Sequence, residues 1–280
     1  MIAPNHLYPG ARVALVSVSS AVPPERLGPA IDAVKALGLE PAPYPSCYFT
    51  SRHGYLAAGD AQRAKDLQDA FADDTIAGVL CIRGGYGAHR VLPLLDLDAI
   101  ARRPKLFAGY SDVTALHTAF QQLCGFVTFH TPMPSTEYYQ PVDGFTMDGL
   151  RRCLFGPLAG PVENPAGQPL AALAPGSAMG RLCGGNLSLL AASLGTPWEL
   201  DARGKLLFLE DVDEHVYRVD AMLTQLRNAG KFDDCAGVIL GAWTNCVPED
   251  PAVTLTLEEV FRELIVPAGK PGLSGLACGH

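Results

Sequence analysis

Gly109-Tyr110-Ser111-Asp112-Val113-Thr114 follows the apolar run Leu106-Phe107-Ala108 and precedes an amphipathic helical pattern. A serine on a sharp strand-to-helix turn projects its hydroxyl clear of both elements, beside helix amides that can meet a developing oxyanion. That is a nucleophile's position. The familiar elbow is Gly-x-Ser-x-Gly, and Val113 stands here in place of its last glycine. Taken alone, the hexapeptide reads more often as a capping serine. A second glycine-rich turn, Arg83-Gly84-Gly85-Tyr86-Gly87, follows another strand-like run. Its amides could face the hydroxyl as the other half of an oxyanion hole. The same turn also reads as a tight β-α connection or an anion-holding loop, although neither Gly-Lys-Ser/Thr nor a full G-x-G-x-x-G is present.

The elements around these turns alternate. Residues 13–18 read as a buried strand, and 25–37 put Leu27, Ile31, Val34 and Leu37 on one helical face with Gly38 as the stop. Residues 60–71 predict a helix, 76–82 a strand, and 88–95 a helix leading to the strand before Ser111. This predicts an α/β fold: an N-terminal parallel-sheet, flavodoxin- or Rossmann-like domain over 1–140, with ligands at the carboxyl ends of its strands. Residues 141–176, rich in Pro and Gly, read as a linker with little regular structure. Residues 177–280 read as a second domain. It has an apolar stretch near 187–194, strands at 205–209 and 237–240, and a helix carrying Val216, Val219, Met222, Leu223 and Leu226. Thr256-Leu257-Glu258-Glu259 predicts a capping box opening a helix to about Leu264.

Composition narrows the function. A net charge of −8, with no basic block longer than a pair, argues against nucleic acid as a partner. The eight cysteines are scattered without a C-x-x-C, so no metal is expected, and several read as small packed hydrophobes. The first 20 residues lack a basic leader and a span-length apolar run, which predicts a cytoplasmic protein and no membrane partner.

Residues 82–95 (IRGGYGAHRVLPLL) and 109–117 (GYSDVTALH) resemble the LD-carboxypeptidase family, serine peptidases of family S66. The resemblance continues through Phe129-His130-Thr131-Pro132-Met133, where the family usually has glycine at Thr131, and through Gly184-Gly185-Asn186-Leu187 and Gly195-Thr196-Pro197-Trp198. It then covers residues 207–212 (LFLEDV), Tyr217-Arg218-Val219-Asp220 and Cys278-Gly279-His280, nearly the whole chain in order.

The resemblance implies a nucleophile domain and a smaller, β-rich, barrel-like C-terminal domain, with the active site at their interface. It implies a catalytic triad of Ser111, Glu210 and His280, beside which the amides of Gly85 and Asp112 are the candidate oxyanion donors. The implied reaction is hydrolysis of the amide before a terminal D-amino acid, such as D-alanine of a murein tetrapeptide in cell-wall recycling, by a homodimer without cofactor. Arg83 and Arg181 are candidates for holding the substrate carboxylate, and Tyr86 for substrate contact.

Without the resemblance, Glu210 belongs to an acidic turn with Asp211, Asp213 and Glu214, and His280 is a terminal side chain. His117 reads as a packed helix histidine, and His130 as structural or substrate-facing. The family's chains continue some tens of residues past the histidine, whereas this sequence stops on it. That predicts an α-carboxylate within the site and an imidazole with no following strand to hold it. Two other functions stay open: a microcin C-type hydrolase of peptidyl- or aminoacyl-nucleotide amides, with Trp198 and Trp243 as stacking candidates, and a non-catalytic small-molecule-binding protein.

Overall fold

Short buried runs, each followed by a helix, build the first half of the chain. The computed structural model describes residues 1–50, 53–248, 250 and 252–280, in two units, Met1–Gly160 and Pro161–His280. In the first unit the strands are β1 (Arg12–Val16), β2 (Glu40–Pro43), β3 (Gly78–Cys81), β4 (Leu106–Gly109) and β5 (Phe129–His130). They form a parallel sheet in the order β2-β1-β3-β4-β5. The helices are α1 (Pro24–Ala36), α2 (Asp60–Ala72), α3 (Ala88–Val91), α4 (Leu97–Ala101), α5 (Thr114–Ala119) and α6 (Gly144–Phe155).

Both faces of the sheet are covered, as parallel strands require. Val13, Leu15, Leu80, Leu106 and Ala108 pack with Val34 of α1 and with Leu150 and Leu154 of α6. On the opposite strand parity, Phe107 meets Phe71 of α2 and Phe120 beyond α5 in tilted and edge-on contacts. The chain leaves β1 for β2 on one side and reaches β3 on the other. Such a reversal opens a crevice at the strands' carboxyl ends, where the turns after β1, β3 and β4 converge.

The second unit holds β6 (Ala171–Ala174), β7 (Leu182–Asn186), β8 (Leu206–Val212), β9 (Gly237–Thr244) and β10 (Gly272–Ser274), in the order β6-β10-β9-β8-β7. Only β6 runs antiparallel to its neighbour. Helices α7 (Leu187–Ser193), α8 (Val216–Asn228), α9 (Lys231–Asp234) and α10 (Leu257–Leu264) accompany the sheet. Leu207 and Leu209 of β8 join Leu190, Val219, Leu223, Val260 and Phe261 in one core. The capping box at Thr256 and Glu259 forms as expected.

Residues 141–176 carry more structure than the sequence suggests. Asp143 caps α6 by accepting from the Thr146 amide at 3.0 Å, and Leu150 and Leu154 bury against the first sheet. With only two leucines fully buried and glycines at 144 and 149, the helical period is faint. β6 gains its identity only by pairing with β10, 98 or more residues later in the chain. The compact units therefore meet at Gly160, inside the expected linker.

Candidate active site

The turn after β4 has the backbone of a nucleophile elbow. Tyr110 is extended, and Ser111 adopts φ +64°, a left-handed conformation costly for a residue with a Cβ. Ser111 is the first residue inside the short 3-10 turn rather than the residue that caps it. The Val113 amide donates to the Tyr110 carbonyl at 3.2 Å, closing the turn.

The glycine-rich turn after β3 lies directly against this serine. A Cβ on Gly84 would stand 2.9 Å from Ser111 Cβ and 3.1 Å from its Oγ. At Gly85, with φ +106°, a Cβ would strike the Ser20 hydroxyl at 2.2 Å. Glycine is thus required for both conformation and space. Ser20 pins the turn from β1's side: its amide donates to the Gly84 carbonyl, and its Oγ accepts from the Tyr86 amide, each at 3.1 Å.

The Asp112 side chain, 1% exposed, turns inward. Its Oδ2 accepts from Ser19 Oγ at 2.5 Å and from the Ala88 amide at 2.8 Å. Burial raises its pKa to about 6, against the pull of those two hydrogen bonds and of the Arg63 charge. Beneath the elbow, His117 Nε2 donates to the Gly109 carbonyl at 2.8 Å, and burial lowers that ring's pKa to about 3. It therefore serves as a neutral donor to the strand end, as its helical position suggested. Beyond β5, Glu137 accepts from Tyr110 Oη and from the Met133 amide, both at 2.6 Å.

In the second unit, strand parity separates two adjacent carboxylates. Leu207 and Leu209 face the helical core, and Glu210 faces the other side of β8, fully buried. Its Oε2 receives His280 Nδ1 at 2.6 Å and the His280 amide at 3.2 Å. After a register shift, Asp211 points back to the start of α7, accepting from Asn186 Nδ2 at 2.9 Å and the Ser188 amide at 3.0 Å. The acidic cluster is thus not one solvated face: Glu210 holds a histidine and Asp211 holds a turn.

The segment bearing His280 is tied down more firmly than expected. The Ala242 amide donates to the Cys278 carbonyl at 2.8 Å, and Thr244 Oγ1 to the His280 carbonyl at 2.6 Å. Gly279, at φ +123°, lets the Glu210 side chain lie where a Cβ would be, with Cβ and Oε2 both 2.9 Å away. This segment runs beside β9, which holds it at the Cys278 and His280 carbonyls.

Both matched regions carry this geometry. The profile of the LD-carboxypeptidase N-terminal domain matches residues 13–131, and that of the LD-carboxypeptidase C-terminal domain matches 179–280. The chain belongs to the LD-carboxypeptidase family. Membership makes it a hydrolase of the carboxypeptidase type. It is 41% identical over 278 residues to the "Probable murein peptide carboxypeptidase" of Bacillus subtilis, covering 99% of this chain and 86% of that one. The crystal structure of muramoyltetrapeptide carboxypeptidase from Oxalobacter formigenes superposes with TM-score 0.81 at 30% identity, over 96% of this chain and 89% of that one. Microcin C7 self-immunity protein MccF in complex with aspartyl sulfamoyl adenosine shares the fold, with TM-score 0.88 at 24% identity, over 100% and 91% of the two chains.

Within this LD-carboxypeptidase, the first unit sets Gly84 against Ser111 with Gly85 next in the same turn, and the second joins Glu210 to His280. Arg83 is half-buried at the start of that turn, and its guanidinium donates to the Ala21 carbonyl. Burial lowers its pKa, with the Arg26 charge adding to the effect. Tyr86 is exposed, its ring edge-on to Tyr55 at 5.7 Å. Arg181 does not join the second site. It immediately precedes β7, and its carbonyl accepts from Leu206 at the start of β8, whereas Glu210 pairs with Asn186 at β7's far end. Trp243 packs on Phe261 with ring centroids 4.9 Å apart, as part of the helical core. Sequence reading missed Ser19, Ser20, Arg63 and the Asp112 carboxylate. The serine run that ends the first apolar strand was their one visible signal. Among the described residues, no group of His, Cys, Asp or Glu is placed to hold a metal ion, and no helix is long and apolar enough to cross a membrane.

Proposed function

We propose that this chain is a serine LD-carboxypeptidase that removes the terminal D-alanine of a murein tetrapeptide, with Ser111, His280 and Glu210 as its triad. The observation that carries the reading is the Glu210–His280 pair: a buried carboxylate 2.6 Å from Nδ1. With Nδ1–H donated to Glu210, the neutral ring carries its lone pair on Nε2, the atom of a general base. His280 Nε2 takes the Ser111 proton as Oγ attacks the scissile carbonyl. The Gly85 and Asp112 amides receive the oxyanion. The imidazolium, stabilised by Glu210, then protonates the departing amine of D-alanine. Water, deprotonated by the same nitrogen, releases the acyl group and restores Ser111.

The relatives' names support the murein substrate, and the strained turn at Ser111 supports nucleophilic attack rather than simple ligand binding. Arg83 is the proposed partner of the substrate carboxylate, and Tyr86, at the crevice's edge, contacts the peptide stem. A homodimer acting in the cytoplasm without a cofactor is part of the same proposal, checked by light scattering and cell fractionation.

The deciding experiment offers the enzyme three amides, with products read by mass spectrometry. They are a tetrapeptide ending in D-alanine, its L-alanine epimer and an aminoacyl-sulfamoyl nucleotide. Release of D-alanine alone supports the proposal. Preferred cleavage of the nucleotide conjugate would assign the microcin-type reaction instead. Binding of the tetrapeptide without cleavage of any substrate would favour the non-catalytic reading.

A further inference from the structure

Arg63 is fully buried on α2, and no ligand-facing role accounts for it. Its Nη1 donates to the Val18 carbonyl and, at 2.9 Å, to the Gly87 carbonyl. The next residue in each segment is held from the other side, because Asp112 Oδ2 accepts from Ser19 Oγ and from the Ala88 amide. One peptide unit, Gly87–Ala88, therefore has its carbonyl on a guanidinium and its amide on a carboxylate. The 18–19 segment is bracketed by the same two groups. A buried guanidinium is expensive to desolvate, and Arg63 Nε has no hydrogen-bond partner among the described residues. Arg63 Nη2 pairs with Asp60 on the same helix, which balances its charge there, so the two bonds from Nη1 are the part of this side chain that reaches the turns.

We propose that Arg63 and the Asp112 side chain form a positioning clamp that fixes the 84–88 turn against Ser111, setting the Gly85 amide where the oxyanion develops. The inference rests on the serine-hydrolase reading above. Asp112 is central because its main chain follows the nucleophile while its side chain grips the opposite turn. A shift in one moves the other, and the two oxyanion donors keep their spacing. Arg63 from α2, Cys81 from β3 and Ser19 after β1 are the titratable or polar groups that face Asp112. Arg63 favours its ionised form. Since an oxyanion donor acts in the transition state, loosening the clamp lowers kcat and spares KM.

The test compares the parent with Asp112→Asn, Arg63→Lys and Ser19→Ala, each first shown to be folded by thermal melting. Peptide-level hydrogen exchange over residues 82–90 reads the turn without any substrate, and steady-state kinetics on the D-alanine tetrapeptide reads the chemistry. Asp112→Asn should raise exchange in that peptide at least several-fold and lower kcat about 10- to 100-fold with KM within about twofold. Ser19→Ala, which removes one bond, should show the same pattern more weakly. It carries the test if Asp112→Asn does not fold. Unchanged exchange, a loss confined to KM, or raised exchange with unchanged kcat would overturn the clamp. If the parent cleaves no tetrapeptide, the substrate reading fails and hydrogen exchange alone decides the clamp: faster exchange in the variants supports it, and parent-like exchange overturns it.

Discussion

The turn at Ser111 and the pair at Glu210–His280 reach rigidity by opposite routes. Ser111 sits on a left-handed backbone that regular structure would not supply, next to Asp112, whose buried carboxylate holds Ser19 after β1 and the Ala88 amide after β3. Glu210 lies in a regular strand, where simple alternation turns it away from the helical core, and its histidine arrives on a short tail docked along β9. The first site stores strain and holds it with hydrogen bonds. The second stores little, and depends on one close approach, that of Gly279 to Glu210. Damage should therefore appear differently in the two regions: as changes in both stability and turnover around Ser111, and as changes in turnover alone around His280.

The largest effect belongs to the second region. Glu210→Gln keeps the shape but gives up the charge that selects the Nδ1–H tautomer, so kcat should fall about 10³- to 10⁴-fold. Circular dichroism should find the fold unchanged. Gly279→Ala comes next. Its Cβ would press on Glu210 at 2.9 Å in a backbone conformation unfavourable to alanine, and a displaced imidazole should lower kcat about 100-fold. Both effects are checked by steady-state kinetics beside thermal melts.

Ser111→Gly should break the comparison from the other side. It abolishes turnover yet relieves the left-handed strain, raising stability by about 1 kcal/mol in urea unfolding. A loss of stability there would mean that the turn is not strained in solution.

The last effect is pH-dependent. The folded-state pKa of Asp112 is raised from 3.8 to about 6, so the native state binds more protons than the unfolded chain between those values. Its contribution to stability is present below about pH 4 and is lost as pH rises through about 6. Asp112→Asn should remove that decline, which urea titrations at pH 4, 5, 6 and 7 would detect.

Much of this was legible in the residues. The strands β1, β3, β4, β8 and β9 announced themselves because each is a short buried apolar run, and the Thr256 capping box because both partners are local. The glycine-rich turn and Ser111 were visible as turn chemistry at strand ends. What stayed hidden depends on partners distant in sequence. β2, Glu40-Pro41-Ala42-Pro43, is not picked out as a strand from sequence, and its prolines are tolerated because it is an edge strand. Asp112 is read from sequence only for its amide, yet its side chain reaches Ser19, 93 residues away. The support under His280 comes from Ala242 and Thr244, which no spacing rule connects to the tail. Arg181 looked available as a free cation, and only the strand direction places it away from Glu210.

The most direct test of the central claim is the initial rate of D-alanine release from an L-Lys-D-Ala tetrapeptide, measured for the parent and for Ser111→Ala at equal concentration. The account predicts steady release by the parent and at least a 10³-fold lower rate for the variant, with tetrapeptide binding retained. Comparable release by Ser111→Ala would contradict it, because the strained turn would then not carry the nucleophile.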